Sequence, residues 1–157
     1  MTIGIDPGAR ASGWAQICDD TGRIIDAGLI RHDDRDLSKA ITIAIRAMPA
    51  RDHVVVVEEM IYRGAHSRAS VPADLLRVQA IGAAIGASLL LCPGTLRMVP
   101  ARTWKGNIPK SIHHRRLLDG MCLDDRYSTE RALARTPKAH HKEVLDAIGI
   151  ALWWVGR

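Results

Sequence analysis

Two apolar runs in this sequence each end in an acidic residue, and this pattern constrains the fold more than any other feature. The first run, Thr2–Ile5, leads into Asp6 and is followed by Pro7-Gly8, a pair that ends strands because proline cannot donate to a β-ladder and glycine permits turn geometry. The second run, Val54–Val57, leads into Glu58-Glu59, and its unbroken β-branched composition is typical of a strand buried on both faces. We therefore predict two strands with a carboxylate at each carboxyl end.

These acids carry function only if they meet in space. Carboxyl ends of parallel strands face the crevice in which α/β proteins bind ligands, and a buried charge must be paired or must bind a metal. Asp6 alone is equally compatible with an aspartate that caps its own turn. Glu58 and Glu59 lie on opposite sides of a strand, so only one can face Asp6, and the sequence leaves both open.

The rest of the chain alternates strands and helices, which predicts an α/β fold in the order β-β-β-α-β-α-β-α-α, as one domain spanning residues 1–157. The further predicted strands are Gly13–Cys18, Arg23–Ile30 and Leu96–Val99. Predicted helices cover Leu37–Met48, a segment that begins at Pro72, a basic segment around His113–Arg116, and His140–Val155. Residues Asp124–Lys138 are polar and are predicted to form a loop.

Composition narrows the class of partner. The chain has 157 residues, 47% of them hydrophobic and 25% charged, as in ordinary globular domains. Its net charge of +5 favours an anionic partner, either nucleic acid or an anionic membrane surface. Three cysteines without CxxC spacing indicate a reducing compartment and no structural zinc. No leader or long apolar run is evident, so we expect a cytoplasmic or nucleoid-associated protein that does not insert into membranes.

Two segments combine positive charge with aromatic residues. No acidic residue occurs from Arg97 to Arg116, which makes this the strongest candidate nucleic-acid surface. The segment after Glu58 carries Tyr62, Arg63, His66 and Arg68, a combination suited to a phosphate backbone and a stacked base. The alternative for both segments is a solvated basic surface.

Glu143 and Asp146 supply a third acidic position, because residues three apart share one helix face. Carboxylates that converge repel one another unless a cation neutralises them. An all-oxygen ligand set favours Mg²⁺ or Mn²⁺ over zinc, and two such ions can act together on a phosphodiester. The sequence thus predicts an acidic pit that binds cations, with a basic rim that binds phosphates.

Four sequence blocks, taken in order and spanning nearly the whole chain, resemble the RuvC-type Holliday junction resolvases: Gly4–Gly8, Val56–Glu59, Ala101–Lys105 and Glu143–Ala151. The first block alone is shared with sugar kinases and actin-like ATPases. The resemblance implies an RNase H-like fold, with a five-stranded mixed sheet, helices on both faces and the first and fourth strands adjacent. It also implies a homodimeric endonuclease that cuts four-way DNA junctions and leaves 5′-phosphate and 3′-hydroxyl ends, with the helix from Pro72 forming the dimer.

The resemblance assigns roles residue by residue. The metal-binding acids of the family fall on Asp6, Glu58 and Asp146, and the remaining catalytic position falls on Glu143. The expected cofactor is two Mg²⁺ or Mn²⁺ ions per subunit. Lysines near the scissile strand match Lys105 and Lys110. The residues expected to contact DNA are Tyr62, Arg63, Arg68, Arg102, Lys105, Lys110, His113, His114 and Arg115.

The chain departs from the family in two places. Ile61 stands near the position of an aromatic wedge that helps to open the junction, with Tyr62 as a substitute, and the sequence has no phenylalanine. The spacing between Lys105 and Lys110 is shorter than usual. These departures bear on junction opening and on how the second lysine reaches DNA.

Other functions are less compatible with the sequence. A less selective branched-DNA or flap endonuclease would use the same residues. A DNA-binding relative without catalysis is disfavoured by the complete acidic set, and a nucleotide-binding kinase or actin-like protein needs two such domains. His140 and His141 are compatible with a solvent-facing pair or with DNA contact, and Trp153-Trp154 with packing rather than base stacking.

Overall fold

The computed structural model describes residues 1–31, 53–59, 78–85 and 94–157. The strands in these ranges are β1 (Thr2–Asp6), β2 (Ala11–Ile17), β3 (Ile24–Arg31), β4 (His53–Glu59) and β5 (Gly94–Pro100). The helices are α1 (residues 78–85), α2 (Ala101–Lys105), α3 (Lys110–Asp119), α4 (Leu123–Ala134) and α5 (His141–Trp154), and a 3₁₀ turn covers Lys138–His140.

The described strands form one mixed sheet in the order β3-β2-β1-β4-β5. β1 is antiparallel to β2 and parallel to β4, and β4 is parallel to β5. Ile5 pairs with Val57 across β1 and β4, which places Asp6 beside Glu58 at the carboxyl edge of the sheet. The prediction of a five-stranded mixed sheet with neighbouring first and fourth strands is confirmed.

Helices cover both faces of this sheet, as predicted. On one face Ile81 and Ile85 of α1 share a core with Ile3 and Ile5 of β1. On the other face α5 packs across β1 and β2, where residues such as Ile148 meet Ala15 and Ile17. Alternation along β2 therefore divides its side chains between two cores, with Trp14 in the first and Ala15 and Ile17 in the second.

Two glycines allow α5 to lie directly on the sheet. A Cβ atom at Gly4 would lie 2.4 Å from the carbonyl oxygen of Ala147, and one at Gly13 would lie 2.0 Å from that of Glu143. Both distances are too short for any side chain, so only glycine permits this approach of helix backbone to strand. The close contact places the first turns of α5 over the ends of β1 and β2.

The prediction of a loop over Asp124–Lys138 is wrong, since α4 covers most of it. The inward face of α4 is built from Asp125, Thr129 and Ala132. Two of these three residues are polar, so the segment lacks the apolar stripe by which an amphipathic helix is found. The short helix α2 occupies residues for which no helix or strand was predicted from the sequence.

Several predicted features lie outside the described residues. They are the helix over Leu37–Met48, the segment that carries Tyr62, Arg63 and Arg68, and the start of a helix at Pro72. Within the described part of the chain, no helix has both the length and the apolar character needed to cross a membrane.

Asp125 attaches α4 to the sheet. Its buried carboxylate accepts hydrogen bonds from the backbone N–H of Ile24, at 2.9 Å, and from Nη1 of Arg157, at 2.8 Å. Burial alone would raise the pKa of Asp125, but these two donors hold it below its usual value. The ionised form therefore stabilises the fold.

Replacing Asp125 by asparagine is expected to lower the free energy of unfolding at pH 7 by about 2 kcal/mol, because hydrogen bonds to charged groups contribute roughly that much. Because the pKa is lower in the folded state, this contribution is complete above the unfolded pKa of about 3.9. The contribution is lost as the pH falls through the pKa that Asp125 has in the folded protein. Urea unfolding at pH 7 and pH 3 should show a difference between wild type and D125N that shrinks at pH 3. The exposed Glu130→Gln on the same helix is the control, and a pH-independent difference would contradict the assignment.

Candidate active site

Three carboxylates from separate elements converge at the carboxyl edge of the sheet. Asp6 ends β1 and Glu58 lies near the end of β4, with only 6% and 5% of their surfaces exposed, and Asp146 of α5 is completely buried. Burial raises the pKa of Asp6 well above its usual value, and the charges of Glu58 and Asp146 raise it further. The three acids are therefore close enough to repel one another.

Two lysines lie among these acids. Nζ of Lys105 is 3.2 Å from Oε2 of Glu58 and 3.8 Å from Oδ2 of Asp146. Nζ of Lys110 donates to the same Oδ2 of Asp146 at 2.5 Å. Burial would lower the pKa of Lys110, but the charge of Asp6 and the hydrogen bond to Asp146 raise it. The cluster thus holds three acids and two ammonium groups.

Trp104 and His114 orient the carboxylates. The indole N–H of Trp104 donates to Oε2 of Glu58 at 3.1 Å, and Nε2 of His114 lies 2.8 Å from Oδ1 of Asp146. Burial alone would raise the pKa of Asp146, but the contacts of His114 and Lys110 lower it to about 2. Asp146 is accordingly a fixed, ionised acceptor.

Glu58, and not Glu59, faces this cluster. The carboxylate of Glu58 contacts Trp104 and Lys105, and the next residue of an extended strand points to the opposite side. Of the two glutamates that the sequence left open, Glu58 is therefore the one on the side of the acidic cluster.

Glu143 lies one helical turn before Asp146 and is partly separate from the other acids. Its carboxylate oxygens lie 3.9 Å from Nδ1 of His140 and 3.8 Å from Nζ of Lys142. Within the described part of the chain, its Oε2 atom is buried and has no hydrogen-bond partner. A buried carboxylate oxygen without a donor is costly, and a cation would satisfy it.

The donor chemistry suits a divalent metal, because all four acids offer oxygen ligands of the kind that Mg²⁺ and Mn²⁺ prefer. Among the described residues, no three acidic, histidine or cysteine side chains have their ligand atoms placed to share one ion. The ammonium groups of Lys105 and Lys110 lie between the carboxylates instead. A metal would require these side chains to rearrange.

The residues predicted to contact DNA are placed differently from one another. His114 points inward to Asp146, and the ring of His113 packs edge-on against Trp104 with centroids 5.0 Å apart. Burial lowers the pKa of His113. Arg102 and Arg115 are exposed. Tyr62, Arg63 and Arg68 are outside the described residues.

The roles of Trp104 and His114 as partners of the acids were not predicted from the sequence. One signal was available for His114, because Lys110 and His114 are four residues apart and so share one face of a helix. For Trp104 the only signal was its position next to Lys105.

Comparison with known proteins identifies the fold. No protein-family model and no curated protein sequence matches this chain. Among solved structures, Thermus thermophilus RuvC in complex with a Holliday junction substrate shares 14% sequence identity, over 97% of this chain and 90% of that one, with a TM-score of 0.54. Another structure of Thermus thermophilus RuvC gives 14% identity, coverage of 97% and 91%, and a TM-score of 0.53. The yeast mitochondrial Holliday junction resolvase Ydc2 gives 13% identity, coverage of 98% and 78%, and a TM-score of 0.56.

The fold is therefore RNase H-like, as the mixed sheet and its flanking helices indicated. The chain has the fold seen in these resolvase structures, which confirms the fold that the four sequence blocks implied.

Proposed function

We propose that this chain is a metal-dependent endonuclease that resolves four-way DNA junctions by paired phosphodiester hydrolysis, leaving 5′-phosphate and 3′-hydroxyl ends. One observation carries the proposal: Asp6, Glu58 and Asp146 converge from three separate elements on a RuvC-type fold. Burial, and after it the charges of Glu58 and Asp146, raise the pKa of Asp6. Such a cluster of carboxylates destabilises a protein unless bound cations neutralise its charge.

The residues that would hold two Mg²⁺ or Mn²⁺ ions are Asp6, Glu58, Glu143 and Asp146. When bound, such ions supply a water of lowered pKa and neutralise charge on the attacked phosphate and leaving oxygen. The all-oxygen donor set and the buried, unpaired Oε2 of Glu143 support this assignment.

The chain's own cations and donors would do the rest. Lys105 and Lys110 lie at the acids and carry charge that can stabilise a phosphate in its transition state. Trp104 holds Glu58 in one orientation through its N–H. The exposed Arg102 and Arg115 would bind the DNA backbone, a role we also propose for Arg63 and Arg68, while Tyr62 would stack on a base.

Cutting opposed strands of a junction needs two active sites. We propose a homodimer formed through the helix that begins near Pro72, acting as one domain of residues 1–157 in the cytoplasm. Residues 78–85 support this arrangement, because they pack on the sheet face opposite α5. Dimerisation there would keep the partner subunit on the side of the sheet opposite α5, which carries Asp146.

The proposal predicts cleavage of a labelled four-way junction with Mg²⁺ or Mn²⁺, and none with EDTA. The two labelled strands should be cut in symmetric pairs, and DNA ligase should reseal the nicks because they carry 5′-phosphate and 3′-hydroxyl ends. A flap and a plain duplex are assayed alongside. Equal cutting of the flap would indicate a less selective endonuclease, and binding without cutting would indicate a relative that has lost catalysis.

A further inference from the structure

Side chains of α3 contact both carboxylate oxygens of Asp146. Lys110 donates to Oδ2, and Nε2 of His114 lies at Oδ1. These two residues are one helical turn apart, so a single face of α3 covers a completely buried acid. An acid proposed to bind a divalent ion is thus already neutralised by the helix above it.

The helix α3 contacts the rest of the molecule through partly buried side chains, with Leu117 and Leu118 packed against the core formed by α5 and β2. None of its residues is buried. A cavity of about 410 Å³ lies against it, with walls that include His113, Leu117, Met121 and Trp153. Nε2 of His113 is buried and has no hydrogen-bond partner among the described residues. The contacts with Asp146 are therefore one attachment of the N-terminal half of α3, beside the packing of its leucines on the core, and the cavity gives the helix room to shift.

The segment before α3 is compatible with such a shift. Gly106 has a φ of 64°, a conformation that favours glycine, and a Cβ atom there would meet nothing within 4 Å. Pro109 then precedes the helix as its N-cap residue. The chain thus enters α3 through an open turn rather than through packed structure.

We propose that α3 is a latch, in which the ammonium group of Lys110 takes the place of a cation at Asp146 and leaves when a divalent ion binds. This inference rests on the metal-dependent function proposed above. An ammonium group and a divalent ion are both cations and would repel each other strongly in contact with the same carboxylate oxygen, so binding of one disfavours the other. Once released, the positively charged Lys110 is available to bind a DNA phosphate. Metal binding and DNA binding by α3 are therefore coupled.

The latch predicts that Lys110→Met binds Mn²⁺ more tightly than wild type in the absence of DNA. Removal of a charge-assisted hydrogen bond should lower the Kd by about ten-fold or more. Titration followed by the electron paramagnetic resonance signal of free Mn²⁺ measures this without any cleavage assay. Lys138→Met, an exposed lysine on the 3₁₀ turn, is the matched control and should leave the Kd unchanged.

Hydrogen exchange tests the same inference on the wild-type chain. Addition of Mn²⁺ should increase exchange of the backbone amides of α3 by about ten-fold, while α5 stays protected. In K110M these amides should exchange fast before any Mn²⁺ is added.

The outcomes separate the latch from the function on which it rests. Equal Kd values for wild type and K110M, with no change in exchange, would overturn the latch and leave the metal-dependent function standing. Absence of Mn²⁺ binding by both proteins, with no Mn²⁺-dependent cleavage, would overturn both.

Discussion

Asp6→Asn is expected to reduce junction cleavage by at least about 1,000-fold while leaving DNA binding largely intact. The expected loss is no smaller than that caused by removing one transition-state donor from an enzyme site, because Asp6 lies at the centre of the acidic cluster. Asparagine has nearly the same shape but lacks the negative charge needed to hold a divalent cation. The measurements are the rate of cleavage with Mg²⁺ and a gel-shift assay with the same junction.

The same substitution should raise the stability of the metal-free protein. Burial and the charges of Glu58 and Asp146 raise the pKa of Asp6, so the ionised side chain costs stability at any pH above that value. A higher urea midpoint for D6N than for wild type at pH 8 would show that the charge on Asp6 destabilises the metal-free protein. A metal-free D6N that is less stable than wild type would contradict this account of the cluster.

Glu59→Gln is the matched control for both measurements. It removes the same charge from the adjacent position on the opposite side of β4, whereas Glu58→Gln should behave like D6N in cleavage. If D6N still cut the junction with Mg²⁺, the metal assignment would be wrong. If E59Q lost activity and E58Q kept it, the choice between the two glutamates would be wrong.

The sheet could be predicted from the sequence because its strands and turns depend on short runs of neighbouring residues. The β-branched run Val54–Val57 forms the buried part of β4, and the Asp19–Gly22 turn joins β2 to β3 with Gly22 at a φ of 64°. Acids that follow strand ends came together because β1 and β4 are parallel neighbours. The fold class and the resemblance to RuvC-type resolvases are confirmed, while the role of each site residue stays a prediction.

The features that were missed depend on contacts between distant residues. His114 and Asp146 are 32 positions apart, and Asp125 accepts a hydrogen bond from Ile24, 101 positions earlier. Neither pairing leaves a periodic signal in the sequence. α4 was missed for the same reason, because its inward face depends on the buried carboxylate of Asp125 and not on an apolar stripe.

Gly13→Ala is expected to destabilise the fold by about 3 kcal/mol or more and to reduce cleavage strongly. The added Cβ atom would lie 2.0 Å from the backbone carbonyl oxygen of Glu143, and overpacking against atoms that cannot rotate away is at the costly end of such substitutions. Gly13 pairs with Asp6 in the sheet, so the clash would lift the start of α5 away from the acid it must approach. Urea unfolding and junction cleavage measure the two effects.

Gly120→Ala provides the control for this prediction. Gly120 follows α3 and has a φ of −82°, which any residue can adopt. A Cβ atom added there would lie 3.3 Å from the carbonyl oxygen of Arg116, its nearest neighbour. That variant should change the free energy of unfolding by less than about 1 kcal/mol. A G13A protein as stable as wild type would show that α5 does not rest on β2 through this contact. A stable G13A that had lost only cleavage would instead mean that α5 can shift on the sheet, and that the separation between Asp6 and Asp146 limits the chemistry.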